Sequence, residues 1–169
     1  EQKARARIRT LSAGQRQRVG SAQAILADPP FLIFDEPTVG LDPEERIHFR
    51  NLFSHAAQDR LVLLSTHIIE EAASVFERVI ILDQGRILEN SPTEELVEQF
   101  RYISGREDVV DQACAGLEVL SVQQMGRHKT AAVRGSDAQF RQARQADVDV
   151  SPMNLQNVFV ALCGHGDAQ

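Results

Sequence analysis

The sequence predicts an α/β protein, with one domain on a mostly parallel sheet followed by a small α+β unit. Three observations carry this reading. The runs FLIF (31–34) and LVLL (61–64) are apolar at every position, which suits strands covered on both faces. Each run is preceded by a segment that opens with a helix-capping signal. After Phe100 the elements shorten and follow a different order.

Ser12 and Gln15 form the S-x-x-Q pattern of a capping box, and Val19, Ala22, Ile25 and Leu26 recur behind it at helical spacing. Asp28-Pro29-Pro30 stops that helix. Asp42-Pro43-Glu44-Glu45 starts another, with a cap, a proline in the first turn and two acids, and it runs to about Gln58. LVLLST is the second strand, and IIEEAASVF after His67 reads as a short helix. RVIILD and RILEN, joined by Gln84-Gly85, form a strand pair; Ser91-Pro92-Thr93-Glu94 then caps a helix ending near Phe100. Beyond it the expected order is a strand around Tyr102, a helix from Asp108 to Ala115, and strands Glu118–Gln124 and Lys129–Arg134. A helix from Ala138 to Ala146, a strand Val148–Val150 and a last helix Asn154–Leu162 follow. This βαββαβ order is the split βαβ, or ferredoxin-like, pattern, so the expected domains are residues 1–100 and 101–169.

The chain has 169 residues, 43% apolar and 25% charged, as in globular proteins. No apolar run approaches the ~18 residues of a membrane span, and the polar, basic start EQKARARIRT does not read as a secretory leader. Absence of an initial methionine suggests processing or a fragment. Cys114 and Cys163 lack metal-site spacing and suit a reduced thiol pair. The net charge of −6 argues against nucleic acid as the main partner, although Lys3, Arg5, Arg7, Arg9, Arg16 and Arg18 make the opening basic.

FLIFDE delivers Asp35 and Glu36 to the C-terminal end of a strand, where open α/β sheets bind ligands. One carboxylate can hold Mg²⁺ through water, and the other can accept a proton from an attacking water. His67, directly after LVLLST, reaches the same edge if the two strands are neighbours. At the mouth of the first helix, free N–H groups and the helix dipole favour an anion; Gly14 permits close backbone approach, and the Ser12 hydroxyl adds a donor. Taken singly, each feature has a plain structural explanation: a strand end, a packed histidine, a capped helix.

Taken in order and spacing, LSAGQ, FLIFDEP, VGLDP and STH resemble the ATP-binding subunit of ABC transporters over residues 10 to about 100. LSAGQ matches the family's signature loop, with Ala13 in place of the commoner glycine. FLIFDE matches the Walker B strand and catalytic glutamate, VGLD the D-loop, and STH the switch histidine. The resemblance implies a P-loop NTPase fold, present here in part, in which two such domains pair head to tail around two ATP molecules. It also implies roles. Ser12, Gly14 and Gln15 would contact the γ-phosphate of the partner's ATP, and Asp42 would link the two sites. Asp35 would serve Mg²⁺, Glu36 would be the general base, and His67 would contact the γ-phosphate. A second ATPase domain and a transmembrane permease subunit would be the partners, at the cytoplasmic face of the plasma membrane.

The phosphate cradle G-x-x-x-x-G-K-[ST] is missing, since the only lysines are Lys3 and Lys129 and neither follows a glycine. The expectation is the C-terminal part of such an ATPase, which alone binds ATP poorly, does not hydrolyse it, and exposes apolar strand faces. The ending NLQNVFVALCGHG resembles that of the daunorubicin-type drug and antibiotic export subunits. Leu155, Val158, Phe159, Leu162 and Gly164 follow their pattern, whereas Gln156 and Asn157 replace the usual acids. Two other readings remain: a non-transporter ABC ATPase, and a non-catalytic module that lends its signature loop to a partner's ATP.

Overall fold

A computed structural model describes residues 7–69 and 75–164. The helix expected after His67, and Lys3 and Arg5 of the basic opening, lie outside the described residues. The chain divides after Val75 into two compact units.

The first unit opens with a short 3-10 turn, Ile8–Thr10, and continues as α1 (Ala13–Leu26), β1 (Phe31–Asp35), α2 (Pro43–Ala56) and β2 (Leu61–Ser65). α1 ends where Asp28 takes a positive φ of 49° ahead of the two prolines. β1 and β2 pair in parallel, with Phe31 opposite Leu61 and Asp35 opposite Ser65. Parallel neighbours need a crossover, and α2 supplies it. Leu32 and Phe34 are buried on one face of β1 together with Phe49 and Phe53 of α2. The Phe34 and Phe53 rings lie 4.8 Å apart, and Phe49 meets Phe53 edge-on at 5.6 Å.

The other face shows the expected exposure of apolar strand faces, and not the cover on both sides that the apolar runs alone suggest. Ile33 is 63% exposed and Leu61 67%, so the apolar runs are covered on one side and open on the other. α1 departs from its pattern: Val19 and Leu26 of the apolar stripe are exposed, whereas Ser21, outside the stripe, is buried. Apolar spacing identified the helix but not the side it packs.

The second unit contains β3 (Arg78–Asp83), β4 (Arg86–Pro92), α3 (Thr93–Glu98), β5 (Phe100–Arg106), α4 (Glu107–Ala113), β6 (Glu118–Met125), β7 (His128–Arg134), α5 (Asp137–Ala143), β8 (Val148–Pro152) and α6 (Leu155–Cys163). β3 and β4 are an antiparallel hairpin. Gln84 and Gly85 at its tip both have positive φ, 45° and 75°, the turn geometry whose twist matches paired strands. The four-stranded sheet runs β6-β7-β5-β8, and all its pairings are antiparallel. Ile103, Val110, Ala131, Val133, Phe140 and Ala143 form its core.

The expected mostly parallel sheet is therefore corrected: among the described strands only β1 and β2 run parallel. Two-residue connections such as Gln84-Gly85 and Gly126-Arg127 can join only antiparallel neighbours. Ser91 does not cap α3, because β4 extends through it and Pro92 occupies the cap position without a side-chain bond. The compact units also group the hairpin and α3 with the later elements, although the sequence reading places the boundary near residue 100. A polar bridge explains the grouping: Arg134 of β7 donates to Glu89 of β4 at 2.5 Å and to Gln99 at 2.8 Å. No helix among the described residues is long and apolar enough to cross a membrane.

Candidate functional site

The chemistry-bearing residues gather at the C-terminal ends of β1 and β2. Because the register sets Asp35 opposite Ser65, the residues just beyond, Glu36 and His67, also come together. Glu36 has a φ of 46°, a left-handed conformation that costs a non-glycine residue about 1–3 kcal/mol. Its surroundings hold it there. The Glu36 N–H donates to the Ser65 carbonyl at 3.0 Å and to Ser65 Oγ at 3.3 Å. Its Oε1 accepts from the His67 backbone N–H at 3.1 Å and lies 2.9 Å from His67 Nδ1. The His67 ring is mostly exposed, at 72%. Asp35 Oδ1 accepts a hydrogen bond from Ser65 Oγ. Glu36 Oε2 and Thr38 Oγ1 are buried and have no hydrogen-bond partner among the described residues.

At the mouth of α1 the expected capping box is formed. Ser12 Oγ accepts from the Gln15 N–H at 3.2 Å, and Gln15 Oε1 accepts from the Ser12 N–H at 3.2 Å. Arg16 Nη1 donates to the Leu11 carbonyl at 2.6 Å, and Arg18 pairs with Glu45 of α2 at 2.5 Å. Gly14 is buried, and a Cβ there would come within 2.9 Å of both Leu41 Cδ2 and Glu45 Oε2. Both atoms are the far ends of flexible side chains, so the Leu41 and Glu45 side chains pack on Gly14 but can shift to admit a methyl group. Asp42 caps α2 by accepting from the Glu45 N–H at 2.8 Å.

Asp35, Glu36 and His67 therefore form one grouping; Ser12, Gly14 and Gln15 form a second, against the segment led by Asp42. The sequence reading did not single out Ser65 or Glu45. The STH stretch contained the clue to Ser65, a hydroxyl residue one strand opposite the aspartate, but register decides its partner.

No grouping of three His, Cys, Asp or Glu side chains forms a metal cage among the described residues. A single strand-end carboxylate with an unshared oxygen still fits Mg²⁺, which keeps several waters and leans on nucleotide phosphates for the rest of its shell. An anion fits the mouth of α1, a helix of fourteen residues with a serine cap.

The family model described as "ABC transporter" matches residues 1–39, which include the LSAGQ helix mouth and the DE strand end. Over this stretch the chain is similar to ABC transporter ATP-binding proteins. Similar relatives include the "Nod factor export ATP-binding protein I" of Rhizobium johnstonii, 40% identical over 59% of this chain and 32% of the relative. The protein of that name from Ralstonia nicotianae is 40% identical over 57% of this chain and 30% of its own length. The one from Paraburkholderia xenovorans is 42% identical over 55% and 31%. The matched stretch thus spans about a third of these ABC relatives.

Proposed function

We propose that the chain is part of the ATP-binding and ATP-hydrolysing subunit of an ABC exporter. The observation carrying this is the hydrogen-bonded pair of Glu36 and His67, 2.9 Å apart, beside Asp35 at the end of two parallel strands. In this reading Glu36 accepts the proton of an attacking water, a role worth roughly 10²–10⁴ in rate. His67 orients the carboxylate through Oε1 and offers its exposed ring to a γ-phosphate. Asp35 holds Mg²⁺, which neutralises phosphate charge when bound. Ser12, Gly14 and Gln15 at the mouth of α1 receive the γ-phosphate of ATP carried by a second ATPase domain, and Asp42 links the two sites.

Residues 1–100 then belong to the nucleotide-binding domain, and 101–169 form a ferredoxin-like accessory domain. The assembly sits on the cytoplasmic face of the plasma membrane beside a permease subunit, as the exporter names of the relatives suggest. This stretch contains no glycine-lysine phosphate loop, so the test supplies one from another domain. The test is to mix the chain with an intact Walker A domain and measure Mg·ATP turnover. Hydrolysis should appear only in the mixture, drop at least ~10²-fold with Glu36→Gln, and vanish with Ser12→Arg. Loss with Ser12→Arg alone would indicate that only the signature loop contributes. Turnover by the chain by itself would overturn the need for a partner.

A further inference from the structure

Two strained or charged groups meet at the end of β1, and one residue touches both. Ser65 Oγ donates to Asp35 Oδ1 while accepting from the Glu36 N–H at 3.3 Å, and the Ser65 carbonyl accepts from that N–H at 3.0 Å. The hydroxyl has one proton to give and lone pairs to receive, so the two bonds are compatible and mutually polarising. Asp35 is exposed and would otherwise rotate freely about its side-chain bonds. Glu36 stands at φ 46° only while its N–H and carboxylate are held.

We infer that Ser65 is a positioning residue, whose hydroxyl locks the Asp35 carboxylate and the Glu36 backbone together so that Asp35 Oδ2 is presented to a divalent cation. The inference rests on the proposed role of Asp35 and goes beyond it, because it assigns the neighbouring strand a part in metal affinity. With Oδ1 taken by Ser65, Oδ2 is the carboxylate oxygen without a hydrogen bond among the described residues. A group that hydrogen-bonds a metal-holding carboxylate commonly changes metal affinity 10–100-fold when removed. Valine or alanine at this position would keep the strand but release both bonds; threonine would keep the hydroxyl.

The full 169-residue chain, labelled with ¹⁵N, is titrated with Mn²⁺ alone, and paramagnetic broadening of the Glu36 and Thr66 amide signals is followed. Ser65→Ala should raise the half-broadening Mn²⁺ concentration about tenfold, and Ser65→Thr should return it to the wild-type value. A purely structural serine would alter melting without this rescue by threonine. Equal Mn²⁺ midpoints in the wild type and Ser65→Ala would overturn the role of Ser65 and leave Asp35 as a metal residue. Wild-type amides unaffected by Mn²⁺ would overturn the metal role of Asp35 and the role of Ser65 with it.

Discussion

Ile33 and Ile103 are both central strand isoleucines, yet Ile33 is 63% exposed and Ile103 is fully buried. Ile33 sits in a two-stranded parallel sheet, whose buried face packs with the α2 phenylalanines. Ile103 sits in a four-stranded antiparallel sheet, packed with Val110 of α4 and Phe140 of α5. Helices α4 and α5 cover Ile103, whereas the Ile33 face stands open among the described residues. The two units hold their residues by different interactions. The second closes an apolar core; the first holds left-handed Glu36 and its neighbours by hydrogen bonds at an open strand end.

Mutations should separate the two regimes. Phe140→Ala removes a fully buried ring from the closed core and should cost about 3–5 kcal/mol. Ile33→Thr on the open face should stay within about 0.5 kcal/mol. Urea unfolding followed at probes in each unit measures both, and equal losses would erase the contrast. Gly14→Ala should change the stability of the first unit by no more than about 1 kcal/mol, because its Cβ meets only the movable ends of the Leu41 and Glu45 side chains, at 2.9 Å, and alanine favours the helix. A larger loss would mean that the Leu41 and Glu45 side chains cannot move aside. Asp42→Ala should cost about 1 kcal/mol by uncapping α2, read as a lower melting temperature of the first unit.

The smallest effect concerns pH. Burial, followed by the nearby Asp111 charge, pushes the Cys114 thiol above its ordinary range. The folded chain therefore keeps that proton to higher pH than the unfolded chain does. Its contribution to stability is complete below the unfolded thiol range and declines as pH rises through it. Cys114→Ala should flatten the alkaline fall in urea midpoint, and disulfide reagents should modify Cys114 of the folded chain slowly. An unchanged alkaline slope would remove the thiol as its source.

Much of the site could be read directly from sequence, because its parts are local. The Ser12–Gln15 capping box and the Asp42 cap are contacts across three residues, and each formed as its spacing implied. The βαββαβ order after Phe100 is also present in the structure. Ser91 illustrates the limit. It has a good cap residue's chemistry, but pairing with Val79 draws it into β4, and a strand residue cannot also start the helix. Glu45 shows another: an acid in a first helical turn is ordinary, and only tertiary packing sets its carboxylate against Gly14 and Arg18.

By itself the sequence determined which residues cap, turn and carry charge, and the order in which the family motifs occur, since these depend on side-chain chemistry and spacing of a few residues. Tertiary structure decided which face of β1 is covered, which strands run parallel, and that Ser65 meets Asp35 while His67 meets Glu36. Those outcomes depend on strand register, and a slip of one residue would turn every side chain to the other face.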